Sequence, residues 1–319
     1  MFSIRHALFA TTVAAFIPVC AMPVLAQGMP VEGPVATTAL INVQSKSDQP
    51  LDPAMLTLQV NGRATPVLGV KPVAPHSAQV AILIDDGLRS SFGNQISDLD
   101  AFVKALPPGM QVLIGYMRNG EVNVASQDGG FSTDHAAVAE ALRIPLSAAG
   151  VSASPYFCLS EFVKHWPSNQ PGARFVLMLT NGVDPYNGST SPLNQDSPYV
   201  QTAQEDAQRA GVAVYAISYA DAGFRNNRRG AGFSGQNYLS QVAQATGGDS
   251  LWQGIGNPVD LQPFLKEFTK DISESYTVSF MADTAREKGD TLDRFKLKTS
   301  QPGIKIHAPD GVHPGTNLQ

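Results

Sequence analysis

Short alternating segments open and close the chain, and buried-type runs interleaved with amphipathic ones fill its middle. ALINV, LTLQV and ATPVLGV between Val35 and Val73 alternate apolar and polar residues, which predicts strands, and Asn61-Gly62 predicts a two-residue hairpin turn. Lys71-Pro72-Val73-Ala74-Pro75 then reads as a stiff connector. From Gln79, the runs QVAILID, ARFVLMLT and VAVYAISY are continuously apolar, as expected of strands covered on both faces. QVLIGYMR and EVNVA flank Asn119-Gly120, so one further strand is expected to be antiparallel.

Helical spacing lies between these runs. Ile96, Leu99, Phe102, Val103 and Leu106 form one stripe, ended by Pro107 and Pro108. Thr133–Leu142, Pro155–Trp166, Tyr199–Ala210, Tyr238–Ala245 and Leu261–Ile272 are further helices, and SLWQ a short strand. This alternation predicts a doubly wound α/β unit with a mostly parallel sheet over about 76–275. YTVSF, RFKLKT and IKIHA return to strand periodicity, too short to stand alone. They are expected to join the N-terminal strands in a small flanking β layer, since chain termini often lie close together.

The first 26 residues carry Arg5, an apolar stretch from Ala7, and small residues at Val24 and Ala26. That pattern predicts a cleaved secretory signal, with an uncleaved anchor as the alternative. The segment 27–75 is then a β-rich lead and linker, and 276–319 a C-terminal β segment and tail. No other run is apolar enough to span a bilayer, so an exported chain, secreted or periplasmic, is expected. Cleavage after Ala26 would leave Cys158 as the remaining cysteine and 21 basic against 27 acidic residues. No internal disulfide is then possible, and Cys158, in the helical YFCLSEFV, reads as a core residue. An acidic chain repels phosphate backbones, which disfavours nucleic acid as a partner.

The stretches VAILIDDGLRSS, RFVLMLTNGVD, AGVAVYAISYA, YLSQVAQATGGDSLW and ISESYTVSF, in that order, resemble von Willebrand factor A domains. More narrowly they are similar to the secreted, acidobacterial-type relatives. The resemblance implies a three-layer sandwich and an adhesion-type Mg²⁺ site at the carboxyl ends of the strands, where ligands of open α/β sheets gather. Carried over, Asp85 takes the first acidic position, while Gly87 and Arg89 stand where the family has serines. Ser152 or Ser154 falls at the threonine position, and Asn181 replaces the second aspartate; Asp86 and Asp184 lie close by. One carboxylate beside an arginine makes a poor hard-cation site, so the metal site is expected to be degenerate, with weak Mg²⁺ binding at most and no cofactor.

Gly230-Ala-Gly232-Phe-Ser-Gly235 spells a dinucleotide fingerprint, but some ten residues separate it from the strand VAVYAISY, so it reads as a loop. Arg225, Arg228 and Arg229 form a basic patch beside it. The six histidines have no metal-ligand spacing, His135 and His165 lie on helices, and no nucleophile elbow appears. The expectation is a binding module for a protein or surface ligand carrying an acidic group, not an enzyme. A hydrolase using Asp85 and Asp184, and a structural subunit of an envelope complex, remain as alternatives.

Overall fold

The computed structural model describes residues 33–46, 49–88, 90–126, 129–146, 153–184, 197–220, 229–254, 256–283 and 291–319, with the side chains of 229–232 and of residue 283 left aside. The leader, Arg89, Ser152, Arg225 and Arg228 lie outside these residues, as does the Arg229 side chain. The strands are β1 Pro34–Ser45, β2 Leu56–Val60, β3 Arg63–Thr65, β4 Gly69–Pro72, β5 Ala78–Asp85, β6 Gln111–Arg118, β7 Glu121–Val124, β8 Ala173–Thr180, β9 Val212–Ser218, β10 Ser250–Leu251, β11 Ser275–Asp283, β12 Asp293–Thr299, β13 Ile304–His307 and β14 Gly311–Val312. The α-helices are α1 Ile96–Ala105, α2 His135–Glu140, α3 Pro155–Lys164, α4 Pro198–Arg209, α5 Arg229–Ala245 and α6 Gln262–Ser273.

A six-stranded sheet in the order β10-β9-β8-β5-β6-β7 forms the centre. Its pairs are parallel except β6–β7, which turns back through Asn119 (φ 54°) and Gly120 (φ 82°), both in the left-handed region a two-residue hairpin requires. Alternation along β5 divides the burial: Val80, Ile82 and Ile84 face the side covered by α1, α2 and α6, and Ala81 and Leu83 face that covered by α3, α4 and α5. Helices therefore sit on both faces, as the periodicity predicts.

The flanking β layer expected from the two ends of the chain is present, and it is a sandwich of two sheets. One has the order β13-β1-β11-β4, the other β14-β12-β2-β3. Antiparallel pairing of β1 with β11 runs from Pro34↔Asp283 to Asn42↔Ser275. Ala39, Ile41 and Val43 of β1 join Phe280, Phe295 and Leu58 inside the sandwich, while Leu40 joins the core of the α/β unit. One strand thus serves two cores by its two-residue period.

Three local expectations are corrected. ATPVLGV is two strands rather than one, broken after Thr65: Pro66 lacks the N–H that a continuous ladder needs, and β3 and β4 go to different sheets. Lys71 and Pro72 are strand residues paired with Thr277 and Tyr276, not connector. The glycine-rich 230–235 segment lies within α5 rather than in a loop. Its glycines disfavour a helix in isolation, but Gly235 packs on the backbone of Asn181 and Gly182, where an added Cβ would collide with the Asn181 carbonyl. Tertiary contact overrides the intrinsic preference.

Candidate functional site

The carboxyl ends of β5 and β8 are neighbours, so Asp85 and Thr180 end side by side. Asp85 is 3% exposed, and its Oδ1 accepts from the Gly87 N–H at 2.9 Å, closing a tight turn after the strand. Its Oδ2 accepts from the Thr180 hydroxyl at 2.8 Å. Gly87 contributes a backbone donor and no side-chain oxygen.

Asp86 is fully buried, and its N–H donates to the Met117 carbonyl of β6 at 3.1 Å. A buried charge must be paired. Arg143 Nη1 donates to Asp86 Oδ1 at 2.6 Å, and the Leu146 N–H donates to the same oxygen at 3.2 Å. The guanidinium carbon lies 3.7 Å from the centre of the Tyr116 ring, and the Arg143 N–H donates to the Tyr116 hydroxyl at 2.6 Å. Strand β6 therefore holds the cation that neutralises Asp86.

After β8, Asn181 Oδ1 accepts from the Val183 N–H at 2.9 Å, and Gly182 takes a left-handed φ of 69°. Tyr156, in the first turn of α3, donates its hydroxyl to the Gly182 carbonyl at 2.7 Å, so the start of α3 abuts this loop. Ser154 immediately precedes α3; its Oγ is buried and makes no hydrogen bond, leaving the helix without a side-chain cap. Asp184 is 2% exposed and accepts from the Ser197 hydroxyl at 2.7 Å, and Ser197 in turn caps α4 by accepting from the Val200 N–H. Asp85, Asn181, Ser154 and Asp184 thus belong to loops that leave one edge of the sheet.

The fold is a three-layer α/β sandwich around a mostly parallel six-stranded sheet. No protein-family model matches the chain, and no curated protein sequence matches it. Among solved structures, a von Willebrand factor type A protein from Catenulispora acidiphila is similar over 88% of this chain and 73% of its own, with a TM-score of 0.46 and 11% identity. BatB from Bacteroides thetaiotaomicron is similar over 62% of this chain and 98% of its own (TM-score 0.41, 13% identity). The manganese-loaded TRAP protein of Plasmodium vivax is similar over 77% and 98% (TM-score 0.40, 11% identity).

Sequence reasoning passes over Thr180, Arg143, Ser197 and Tyr156 as partners of this edge. Thr180 and Ser197 carry a signal, a hydroxyl at a strand end and a serine before Pro198 at a helix start. Nothing local marks Arg143, 57 residues from Asp86. The Cys158 thiol lies on the buried face of α3, and burial followed by the charge of Asp85 pushes it up to about 12. His135 Nε2 lies 2.8 Å from the Met110 carbonyl and His165 Nδ1 3.0 Å from the Glu161 carbonyl. Among the described residues no group of three or more His, Cys, Asp or Glu side chains is arranged to hold a metal, and no helix is long and apolar enough to cross a membrane.

Proposed function

We propose that the chain is an exported binding module of the von Willebrand factor A type, of the secreted acidobacterial kind its motif order resembles. It recognises a protein or surface ligand at the carboxyl edge of the six-stranded sheet without a resident cation. The observation that carries this reading is the inward use of the edge carboxylates. Asp85 accepts from Gly87 and Thr180, Asp86 faces the Arg143 guanidinium, and Asp184 accepts from Ser197. A hard divalent cation needs a shell of oxygens whose number and charge set its affinity. Position 87 has no side-chain oxygen to give, position 181 is a neutral amide whose oxygen already accepts a backbone N–H, and Arg143 supplies positive charge at the same edge. The same engagement of Asp85 and Asp184 favours binding over hydrolysis, because neither carboxylate is placed as a solvent-facing base.

In this reading the family cation's attraction for an acidic partner group is taken over by fixed guanidinium, with Arg89 offering bidentate geometry to a carboxylate. The test has two arms. Calorimetric titration with Mg²⁺ and Mn²⁺ is expected to give no saturable heat, whereas the Gly87→Ser, Arg89→Ser, Asn181→Asp variant gains affinity for Mg²⁺. A partner captured from an envelope extract is expected to stay bound in EDTA, to be released by salt, and to bind the Arg89→Ala variant more weakly. Tight Mg²⁺ binding by the unaltered chain, or capture abolished by EDTA and indifferent to Arg89, overturns the proposal.

A further inference from the structure

Opposite the Asp85 edge, at the amino end of the sheet, a cavity of about 530 Å³ opens between the ends of α3 and α4. A volume of this order suits a small molecule. Trp166, Arg174, Lys164, Arg209, Asp206 and Asn169 contribute to its lining. Arg174 is the second residue of β8, paired with Gln79 of β5 and Val212 of β9, and its side chain points to the α3–α4 face as that of Val176 does two residues on. Six residues separate it from Thr180 on the same strand, about 20 Å at strand rise. This cavity is therefore distinct from the carboxyl edge.

The charges around the cavity are unequally served. Asp206 accepts from Ser160, Lys164 and Arg209. Lys164 also pairs with Glu161 at 3.0 Å, and Arg209 with Glu205 at 3.2 Å. Three carboxylates thus answer two cations. Arg174 has no carboxylate within ion-pair distance among the described residues. Its Nη1 donates to the Ala210 carbonyl at 3.1 Å, and its guanidinium carbon lies 5.5 Å from the centre of the Trp166 ring. Trp166 is itself fixed, its Nε1–H donating to Gln79 at 2.6 Å and its ring packed against Phe131 and Phe162. The Nε of Arg174 is buried and has no acceptor. A charged donor left this way forfeits a stronger bond than a neutral one would. With Nη1 donating to Ala210 and Nε closed off from solvent, Nη2 is the donor left for a ligand oxygen.

We propose that this cavity is an oxyanion site, taking the carboxylate or phosphate group of a small molecule against Arg174. The ring of Trp166 and the Ala210 carbonyl hold the guanidinium in place, and with Lys164 and Arg209 already paired to Glu161, Asp206 and Glu205, Arg174 is the lining guanidinium left for the ligand. Ligand binding here is independent of recognition at the Asp85 edge.

The full chain carrying Trp252→Phe, which leaves Trp166 as the one tryptophan, serves as its own reporter. Titration with sodium phosphate and, separately, with succinate at constant ionic strength is expected to give a saturable change in Trp166 fluorescence with at least one of them. The anion that saturates identifies the group recognised. Arg174→Gln is expected to weaken that binding about tenfold or more, and Arg174→Lys to weaken it less, since lysine keeps the charge and loses the planar guanidinium held against Trp166. Thermal unfolding checks that each variant is folded, and Arg174→Lys carries the comparison if Arg174→Gln is not. Absence of saturation with both anions overturns the proposal, as does undiminished affinity in the folded variants.

Discussion

The Thr180 hydroxyl donates to Asp85 Oδ2 at 2.8 Å, joining the ends of two neighbouring parallel strands through a buried carboxylate. Asp85 is thereby a structural fastener of the sheet's carboxyl edge, whatever binds above it. Thr180→Val keeps the shape and removes the donor. It is expected to cost about 1–3 kcal/mol in urea unfolding, because the carboxylate oxygen stays buried with one hydrogen bond fewer. An unchanged unfolding midpoint would show that Asp85 finds another donor.

Arg143 and Asp86 supply a second prediction. Asp86 is fully buried and Arg143 partly exposed, so removing the arginine leaves the larger penalty behind. Arg143→Met is expected to lose roughly 3 kcal/mol, toward the lower end of what breaking a buried pair costs, since one partner is still reached by water. Adding Asp86→Asn should recover part of that loss. A double-mutant cycle with no coupling would assign the stabilisation to the stacking of Arg143 on Tyr116 instead.

Stability is expected to depend on pH through Asp271. Burial first, then the neighbouring charges of Asp249, Glu267 and Glu274, raise it from 3.8 to about 7, against a hydrogen bond from Gln44 that lowers it. The folded chain then holds a proton that the unfolded chain releases at much lower pH. This contribution is complete at pH below about 4, declines as pH rises, and is exhausted above about 7. Asp271→Asn is expected to flatten that slope between pH 4 and 7 in denaturant titrations, and an unaltered slope would rule the residue out as its source.

Cys158 offers a chemical check. Its thiol is fully buried and raised to about 12, so almost no thiolate exists at neutral pH. In the chain carrying Cys20→Ser, a thiol reagent should label Cys158 rapidly when unfolded and only at the rate of opening when native. Rapid labelling of the native chain would place Cys158 on a surface.

Strands β5, β6, β8 and β9 of the central sheet are legible in the sequence because each is a run of apolar residues bounded by polar ones, and burial on both faces writes itself into consecutive positions. The edge chemistry is less so. Asp85 and Asn181 can be located from motif order, whereas Arg143 is found only when β6 and the loop after α2 are brought together in space. The glycine-rich start of α5 misleads for the same reason. Its residues suit a close approach to another backbone, a demand invisible to local propensity. The Arg174 cavity is hidden too, since one arginine in ARFVLMLT gives no sign that its neighbours' charges are already answered.

The pairing of β1 with β11 and β13 has a consequence for biosynthesis. Thr38 hydrogen-bonds to Thr316 across 278 residues, and Asn42 to Asp271 across 229. During synthesis the first strand emerges with neither of its lateral partners made, and it stays unpaired until almost the whole chain has followed. The central sheet needs no such wait, since β5, β6, β8 and β9 find their partners within the middle of the chain. Such distant closure slows assembly of the β sandwich relative to the α/β unit. In order of emergence, the strands of the central sheet therefore meet their partners before β1 can meet any of its own.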